Sequence, residues 1–573
     1  MTRGVPGYFS SVNPDLLRRV PLTADCVLEV GSGDGALGRR FKMRNPQTQW
    51  LAIEVDANAA RTAAGVLDDV LHADVERLGE AELDAFLAGR TPDVLVFGDV
   101  LEHLREPEAA LARLVDRLAP GGAVVACIPN IGHWSVVRDL LAGRWTYADS
   151  GLLDRTHLRF FTLDSAVALL RGAGLEVRRS SSRDIPLDAP GQKAFMEALR
   201  ASPGLLGGQA EAAEARLKAL QYVLVAQKPP VTPVLELHQL VMVRQLLEAR
   251  VDPPWQALAT MPGVHATASE RQVLRPTPLQ GAPRVMVIQR QLVGDLGPWT
   301  QFMRRLVADG WLLVAEWDDH PDLLPSPAQE NWQRHPWRPM TSVHACQVST
   351  PRLAEVFRRH NPETEVFENA VLDLPPLRPR DPGVVRVLYA AVSRPGVARL
   401  ISPGLDAVAE DPRVEILVLG DEKVFASTRA RRKRYLPLQD YAAYLDVLAT
   451  VDVNLLPLRG APAELTKSPL KFIESASRGA VCIASPDIYE DTIRHGETGW
   501  LARSQDDWTA LMRRVVADDA GRRRMAQSAW ETVRERHLQV HQVARREAWY
   551  RSLAARKAEL DAALFARHPE LRP

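Results

Sequence analysis

Val27-Leu28-Glu29-Val30-Gly31-Ser32-Gly33-Asp34-Gly35 is a short apolar run that ends in three glycines at alternate positions and passes into helix-forming sequence. A run this rich in Val and Leu fits a strand covered on both faces. Glycine at the bend admits positive φ and lets a ligand approach main chain with no Cβ in the way. The stretch predicts a buried first strand that delivers the chain to a nucleotide-type ligand. Gly31, Gly33 and Ala36 also satisfy G-x-G-x-x-A, so the dinucleotide turn of an NAD-dependent oxidoreductase stays an alternative.

Glu29 weighs against that alternative, because a carboxylate two residues before the first glycine would repel a pyrophosphate and attract a cationic amino acid moiety. S-adenosylmethionine carries an ammonium and a sulfonium at that end and no phosphate. Outward along the chain, Trp50 to Asp56 reads as a second strand ending in acid, at the offset where a carboxylate takes ribose hydroxyls, and Glu54 is the candidate. Val70 to Asp74 closes a third strand, with Asp74 placed to accept from an adenine amino group. Each such acid is equally readable as a helix N-cap. Pro92 to Leu104 is a fourth strand running into the polar turn Asp99-Val100-Leu101-Glu102-His103, and Ala119-Pro120-Gly121-Gly122 precedes a fifth. Strands alternating with helical patterns imply crossover units and a parallel sheet.

Over roughly residues 20 to 180 these motifs together resemble the class I S-adenosylmethionine-dependent methyltransferases, in the branch with Asp-x-Leu-Glu-His at strand four and a Pro-Gly-Gly turn before strand five. The resemblance implies a cofactor site of Glu29, Gly31, Ser32, Gly33, Gly35, Glu54, Asp74 and Asp99. It places Leu153 to Thr162 beside the acceptor. His103 and His157 are the base candidates for a hydroxyl acceptor, against the ordinary reading of each as a structural hydrogen-bonder.

The chain has 573 residues, room for three to four compact units. Lys plus Arg and Asp plus Glu both total 71, so no basic surface is forced and a nucleic-acid partner is not expected. Cys26, Cys127, Cys346 and Cys482 lack the spacing of a zinc site or a disulfide framework, and no metal is expected. The start lacks a signal-peptide core and there is no apolar run of about 18 residues, which together predict a cytoplasmic chain with at most peripheral membrane contact.

Lys228-Pro229-Pro230-Val231-Thr232-Pro233 cannot continue a helix or central strand and marks a boundary. The expected division is a methyltransferase domain at 1–229, a connector at 230–283 with an amphipathic helix from Leu235 to Ala249, an N-terminal lobe at 284–382, a C-terminal lobe at 383–545 and a terminal helix at 546–573. Val285 to Ile288 and Trp311 to Asp319 open a second alternating α/β unit, and Val384 to Ala390 a third.

Lys467-Ser468-Pro469-Leu470-Lys471-Phe472-Ile473-Glu474 begins a helix that Gly479 ends, with Ser468 as expected N-cap. Two lysines at a helix N-terminus oppose its dipole unless an anion binds there. Lys471 and Glu474 share a face, so the lysine suits a diphosphate and the glutamate ribose hydroxyls; the plain alternative is an exposed ion pair. Residues 285 to about 545 resemble the bacterial GT-B glycosyltransferases of the large retaining group through this Ser-x-x-Lys-x-x-Glu helix, the Ser485-Pro486 strand end and Glu497-Thr498-Gly499-Trp500-Leu501. The resemblance implies Arg394 as second diphosphate ligand and Asp318 and Asp319 facing the cleft toward the acceptor, with Asp319 the catalytic candidate. It departs from the family at Thr466, where an acid is usual. Arg429, Arg431, Arg432, Lys433 and Arg434 form a dense basic run, read as a solvated helix face or as a contact for anionic lipid.

These readings combine into an α/β chain in which a methyltransferase is fused to a two-lobed glycosyltransferase, using S-adenosylmethionine and a nucleotide sugar on a glycan or lipid-linked glycan. The setting implied is surface polysaccharide synthesis, of an O-antigen or a capsule. A nucleotide-binding scaffold with one inactive half is the other class of reading.

Overall fold

The computed structural model describes residues 11–184, 191–201, 210–244, 247–270, 279, 281–391 and 395–573. The chain divides into two compact units, residues 1–233 with 259–263, and residues 234–258 with 264–573.

The first unit holds β1 (Cys26–Val30), β2 (Gln49–Glu54), β3 (Asp69–His72), β4 (Val94–Gly98), β5 (Ala123–Pro129), β6 (Glu176–Arg183) and β7 (Gln221–Gln227) in the order β3-β2-β1-β4-β5-β7-β6. β1 pairs in parallel with both β2 and β4, and β7 is antiparallel to β5 and β6. All five residues of β1 are buried, as the apolar run predicts. Leu28 and Val30 join one core layer and Val27 the other, so the strand is the sheet's shared spine. Strand order reverses between β2 and β4 across β1, which puts a crevice at its carboxyl end, where the glycines lie. β6 was not legible because Glu176-Val177-Arg178-Arg179-Ser180-Ser181-Ser182-Arg183 is a polar strand at the sheet's edge, partly exposed along its length.

The second unit has two sheets. The first comprises β8 (Leu235–Val241), β9 (Val264–Glu270), β10 (Arg284–Gln289), β11 (Leu312–Trp317), β12 (Ala345–Val348) and β13 (Thr364–Val366) in the order β13-β12-β11-β10-β8-β9, with every pair parallel. The amphipathic helix expected at 235–249 is therefore wrong: its first seven residues are a fully buried strand. Its polar residues imitate a helical face but are satisfied inside. Glu236 pairs with Arg284 at 2.9 Å, His238 bonds Thr267 and Ser269 at 2.9 and 2.8 Å, and Gln239 donates to Glu316 at 2.9 Å. Within the stretch expected as a connector, Leu235–Val241 and Val264–Glu270 are thus two strands of this sheet.

The other sheet comprises β14 (Val385–Ala390), β15 (Val414–Leu419), β16 (Lys433–Leu436), β17 (Val453–Leu456), β18 (Val481–Ala484) and β19 (Trp500–Leu501), all parallel in the order β16-β15-β14-β17-β18-β19. The basic run at 429–434 is not a helix face: it is exposed loop leading into edge strand β16. Its charges are partly spent locally, Lys433 on the carbonyls of Phe425 and Thr428 and Arg434 on Glu415. A single helix, Val540–Ala555, runs through the boundary expected at 545. Tyr550 on it donates to Gln347 of β12 at 2.6 Å, and Leu564 beyond it joins the core of the first sheet, so the terminal helices complete that lobe. Among the described residues no helix is long and apolar enough to cross a membrane.

Candidate functional site

In the first unit the glycine turn has the predicted backbone, with φ of +74° at Gly31 and +80° at Gly35. Gly35 caps the helix Ala36–Lys42 without a side chain. A Cβ on Gly31 would lie 2.5 Å from Val100 Cγ2, so the turn and the polar segment after β4 are in contact. Ser32 Oγ and Asp34 Oδ1 are buried in this turn without a hydrogen-bond partner among the described residues. Buried polar atoms left without partners are rare and point to an absent ligand or water.

The acids of the crevice are more internally engaged than their sequence positions suggest. Glu54 accepts from Gly33 N and Asp56 N, both at 2.8 Å, so the carboxylate expected at the ribose also holds the glycine turn in place. Glu29 is buried and accepts from the Trp50 indole at 2.8 Å. Burial pushes its carboxyl up to about 8, the nearby Glu54 charge adding to this and the Trp50 bond opposing it. Asp74 accepts from Glu76 N at 3.0 Å and pairs with Arg77 at 3.4 Å, a turn-capping role. Asp99, at φ +55°, accepts from Gln221 Nε2, and burial raises its carboxyl to about 6.

Glu29 gives the fold a pH signature. Its unfolded value is near 4.5 and its folded value about 8, so between them the folded chain keeps a proton that the unfolded chain has released. The stability this contributes is full below about 4.5 and is lost as pH rises through about 8. Melting of the wild type should fall on going from about pH 5 to about pH 9, and Glu29→Gln should flatten that fall, as read by differential scanning fluorimetry in matched buffers.

His103 and His157 come together, their rings 4.9 Å apart and edge to face. His103 Nδ1 bonds the Thr156 carbonyl and His157 Nδ1 the Leu152 carbonyl, each at 3.1 Å, so both Nδ1 atoms carry hydrogen and both Nε2 atoms carry a lone pair. Burial holds both imidazoles below their ordinary range. Glu102, next to His103 in the chain and missed as a site residue, is 1% exposed, and neither carboxylate oxygen has a partner among the described residues. Its signal was present in the Asp-x-Leu-Glu-His spacing, where the histidine is the more obvious chemical group.

In the second unit a cavity of about 210 Å³ is bounded by Asp318, Asp319, Tyr389, Lys467, Ser468 and Lys471. Arg394 lies outside the described residues. Ser468 does not cap the helix Leu470–Ser477: Pro469 occupies that position and the serine hydroxyl accepts from Asn369. The two lysines find partners within the protein. Lys467 pairs with Asp319 at 3.3 Å and Lys471 donates to the Ala390 carbonyl at 2.8 Å. Asp318 is buried between Arg250, at 3.0 Å, and Arg290, which also binds Asp319 at 2.7 Å. Burial pushes the Asp319 carboxyl up, but Lys467, Arg290 and Arg250 outweigh it and hold the group below its ordinary range.

Glu474 is buried and accepts from the Tyr441 hydroxyl at 3.0 Å; burial raises it to about 7, and it is absent from the cavity wall. Thr466 is also buried, its hydroxyl donating to the Ala463 carbonyl at 2.8 Å and its own carbonyl accepting from Thr350 at 2.8 Å, so the side chain at this position is spent on its own turn. Arg250 and Arg290 were not foreseen, because the first lies in a stretch without pattern and the second leaves β10 at φ +43°.

Residues 8–180 match the family model described as a methyltransferase domain, and residues 402–548 the one described as glycosyl transferase-like. Uncharacterized methyltransferases of Mycobacterium bovis and Mycobacterium tuberculosis are each 34% identical over 145 residues, 22% of this chain and 69% of theirs. Among solved structures, Anabaena HepE in complex with UDP and glucose is 13% identical with a TM-score of 0.39, covering 56% of this chain and 99% of that one. A Staphylococcus aureus TarM mutant in complex with Fondaparinux, alpha-GlcNAc-glycerol and UDP is 11% identical with a TM-score of 0.35, covering 46% of this chain and 55% of that one.

Proposed function

We propose, from the premise that this chain belongs to the methyltransferase-domain family through residues 8–180 and carries a glycosyl transferase-like domain over residues 402–548, that it moves a methyl group and a sugar onto a glycan. The setting is surface polysaccharide assembly, such as an O-antigen or capsule. The observation that carries the first activity is the glycine turn with Ser32 Oγ and Asp34 Oδ1 buried and without a partner among the described residues. These residues fit S-adenosylmethionine, which when bound supplies a methyl group on a sulfonium. Glu29, Gly31, Ser32, Gly33, Gly35, Glu54, Asp74 and Asp99 would hold it. Glu54 holds the turn through Gly33 N, and the two segments carrying His103 and His157 would set the acceptor beside it, so orientation supplies much of the rate.

The donor sugar's diphosphate belongs at the cavity's basic edge, with Lys467 and Lys471, and its arrival would compete with Asp319 for Lys467. Arg394 would be the second diphosphate ligand, and Glu474 could serve the ribose only by giving up its bond from Tyr441 and turning toward the cavity. Covalent fusion raises the effective concentration of one domain's product at the other. The exposed cations of 429–434 would favour a lipid-linked acceptor at an anionic membrane face.

Isothermal titration with S-adenosylhomocysteine and with UDP-, GDP- and dTDP-sugars tests both halves. One nucleotide sugar should bind, and Lys471→Ala should weaken it at least about tenfold, as loss of a charge-assisted bond does. Unchanged affinity in the variant would refute the placement of the diphosphate. Binding of NADH in place of S-adenosylhomocysteine would refute methyl transfer.

A further inference from the structure

The segment after β4 is built more elaborately than an acceptor wall requires. Among the described residues Glu102, His103 and His157 each offer a ligand atom, and these atoms all lie within 4.8 Å of one another. The two Nδ1 atoms are spent on the carbonyls of Thr156 and Leu152, which fixes both tautomers and leaves both Nε2 lone pairs free. A bond of this kind at the far ring nitrogen orients histidines that ligate metals. The loop is fastened as well, Leu158 N and Arg159 N donating to the Glu102 carbonyl at 2.8 and 3.0 Å. The Glu102 carboxyl is buried with neither oxygen hydrogen-bonded among the described residues, a costly state for a polar group.

We propose that Glu102, His103 and His157 form a site for a divalent first-row transition-metal ion in the first unit. Two imidazoles and one carboxylate suit Zn²⁺, Mn²⁺, Co²⁺ or Fe²⁺ better than Ca²⁺ or Mg²⁺, which prefer all-oxygen sets. Ligand distances of about 2.0 to 2.2 Å require the three atoms to draw slightly closer on loading. Asp154 adds negative charge beside both rings without offering a free Oδ1, which accepts from Thr156 N and Oγ1 at 2.8 and 2.7 Å. Three protein ligands leave positions open, so the site is of the substrate-binding kind and not the closed structural kind.

The inference deepens the methyl-transfer reading and rests on it for its consequence: the acceptor is an oxygen compound whose hydroxyl reaches the ion. That hydroxyl's proton passes to solvent, an oxygen lone pair forms the new C–O bond to the methyl carbon, and the C–S bond breaks with its electron pair returning to sulfur. His103 and His157 then hold the ion and are not the bases.

The test is metal binding by the full chain, with cofactor binding read separately. Chain stripped with chelator and desalted should take up one Co²⁺ per molecule at this site by titration calorimetry, with visible bands in the absorption spectrum. Glu102→Gln and His157→Gln should each weaken this at least about tenfold, and His72→Ala, at an exposed position, should leave it unchanged. Variants that keep wild-type melting and S-adenosylhomocysteine affinity are folded, and only those are compared. No uptake by the stripped wild type, or uptake undiminished in both folded site variants, overturns the proposal. Metal uptake as expected in a chain that does not bind S-adenosylhomocysteine would sink the methyl-transfer reading and leave the metal site standing.

Discussion

Asp318→Asn should destabilise the second unit by about 3 to 5 kcal/mol, the cost of removing one partner from a buried ion pair. Asp318 is 6% exposed and its two oxygens serve Arg250 and Arg290, whose side chains are 9% and 13% exposed. The amide matches the carboxylate in shape, so the loss isolates charge from packing. Arg290 retains Asp319, whereas Arg250 loses its ion-pair partner and keeps only the more distant charges of Glu316 and Asp319. Asp319→Asn, at a side chain 32% exposed, should cost far less, on the order of 1 kcal/mol. Urea unfolding followed by tryptophan fluorescence checks this, with Trp317, the preceding residue, packed on Trp332 as one reporter among the chain's 13 tryptophans. Equal midpoints for wild type and Asp318→Asn would show that the triad contributes nothing net.

Gly31→Val should abolish measurable S-adenosylhomocysteine binding, a loss of at least about 100-fold, and lower the melting temperature. Two separate costs combine. At φ +74° a side chain costs roughly 1 to 2 kcal/mol in backbone energy, and more if β-branched. In addition the new Cβ would be 2.5 Å from Val100 Cγ2, so that side chain must shift. The pair Gly31→Ala and Gly31→Ala with Val100→Ala separates them: trimming Val100 should restore the part due to collision and leave the part due to φ. If Gly31→Ala alone binds S-adenosylhomocysteine as the wild type does, the turn is not under the constraint its geometry implies.

The sequence disclosed the parallel cores and hid the edges and the pairings. β1 was readable because Val27, Leu28 and Val30 are apolar on both faces, a pattern that neither a solvated loop nor a half-exposed strand produces. β8 was not, because Glu236, His238 and Gln239 look solvated until partners 29 to 77 residues away are known. The same holds at the sites. Glycines at Gly31 and Gly35 announce their φ in the sequence, as do lysines placed against a helix dipole. That Lys467 would meet Asp319, that Glu54 would turn back to Gly33 N, or that Glu102 would be left without a partner depends on side-chain approach across the fold, which no local pattern encodes.

The order in which the chain visits its two units governs how it can be dissected. Residues 234–258 already belong to the second unit, 259–263 return to the first, and 264–573 complete the second. A shortened polypeptide starting at residue 284 would keep β10 to β19 and lose β8 and β9. β10, whose Val285, Met286, Val287 and Ile288 are all buried, would then be an unprotected margin, a site for self-association. Excising the glycosyl transferase-like half as a tractable reagent therefore means beginning ahead of Leu235, well upstream of its most obvious strand.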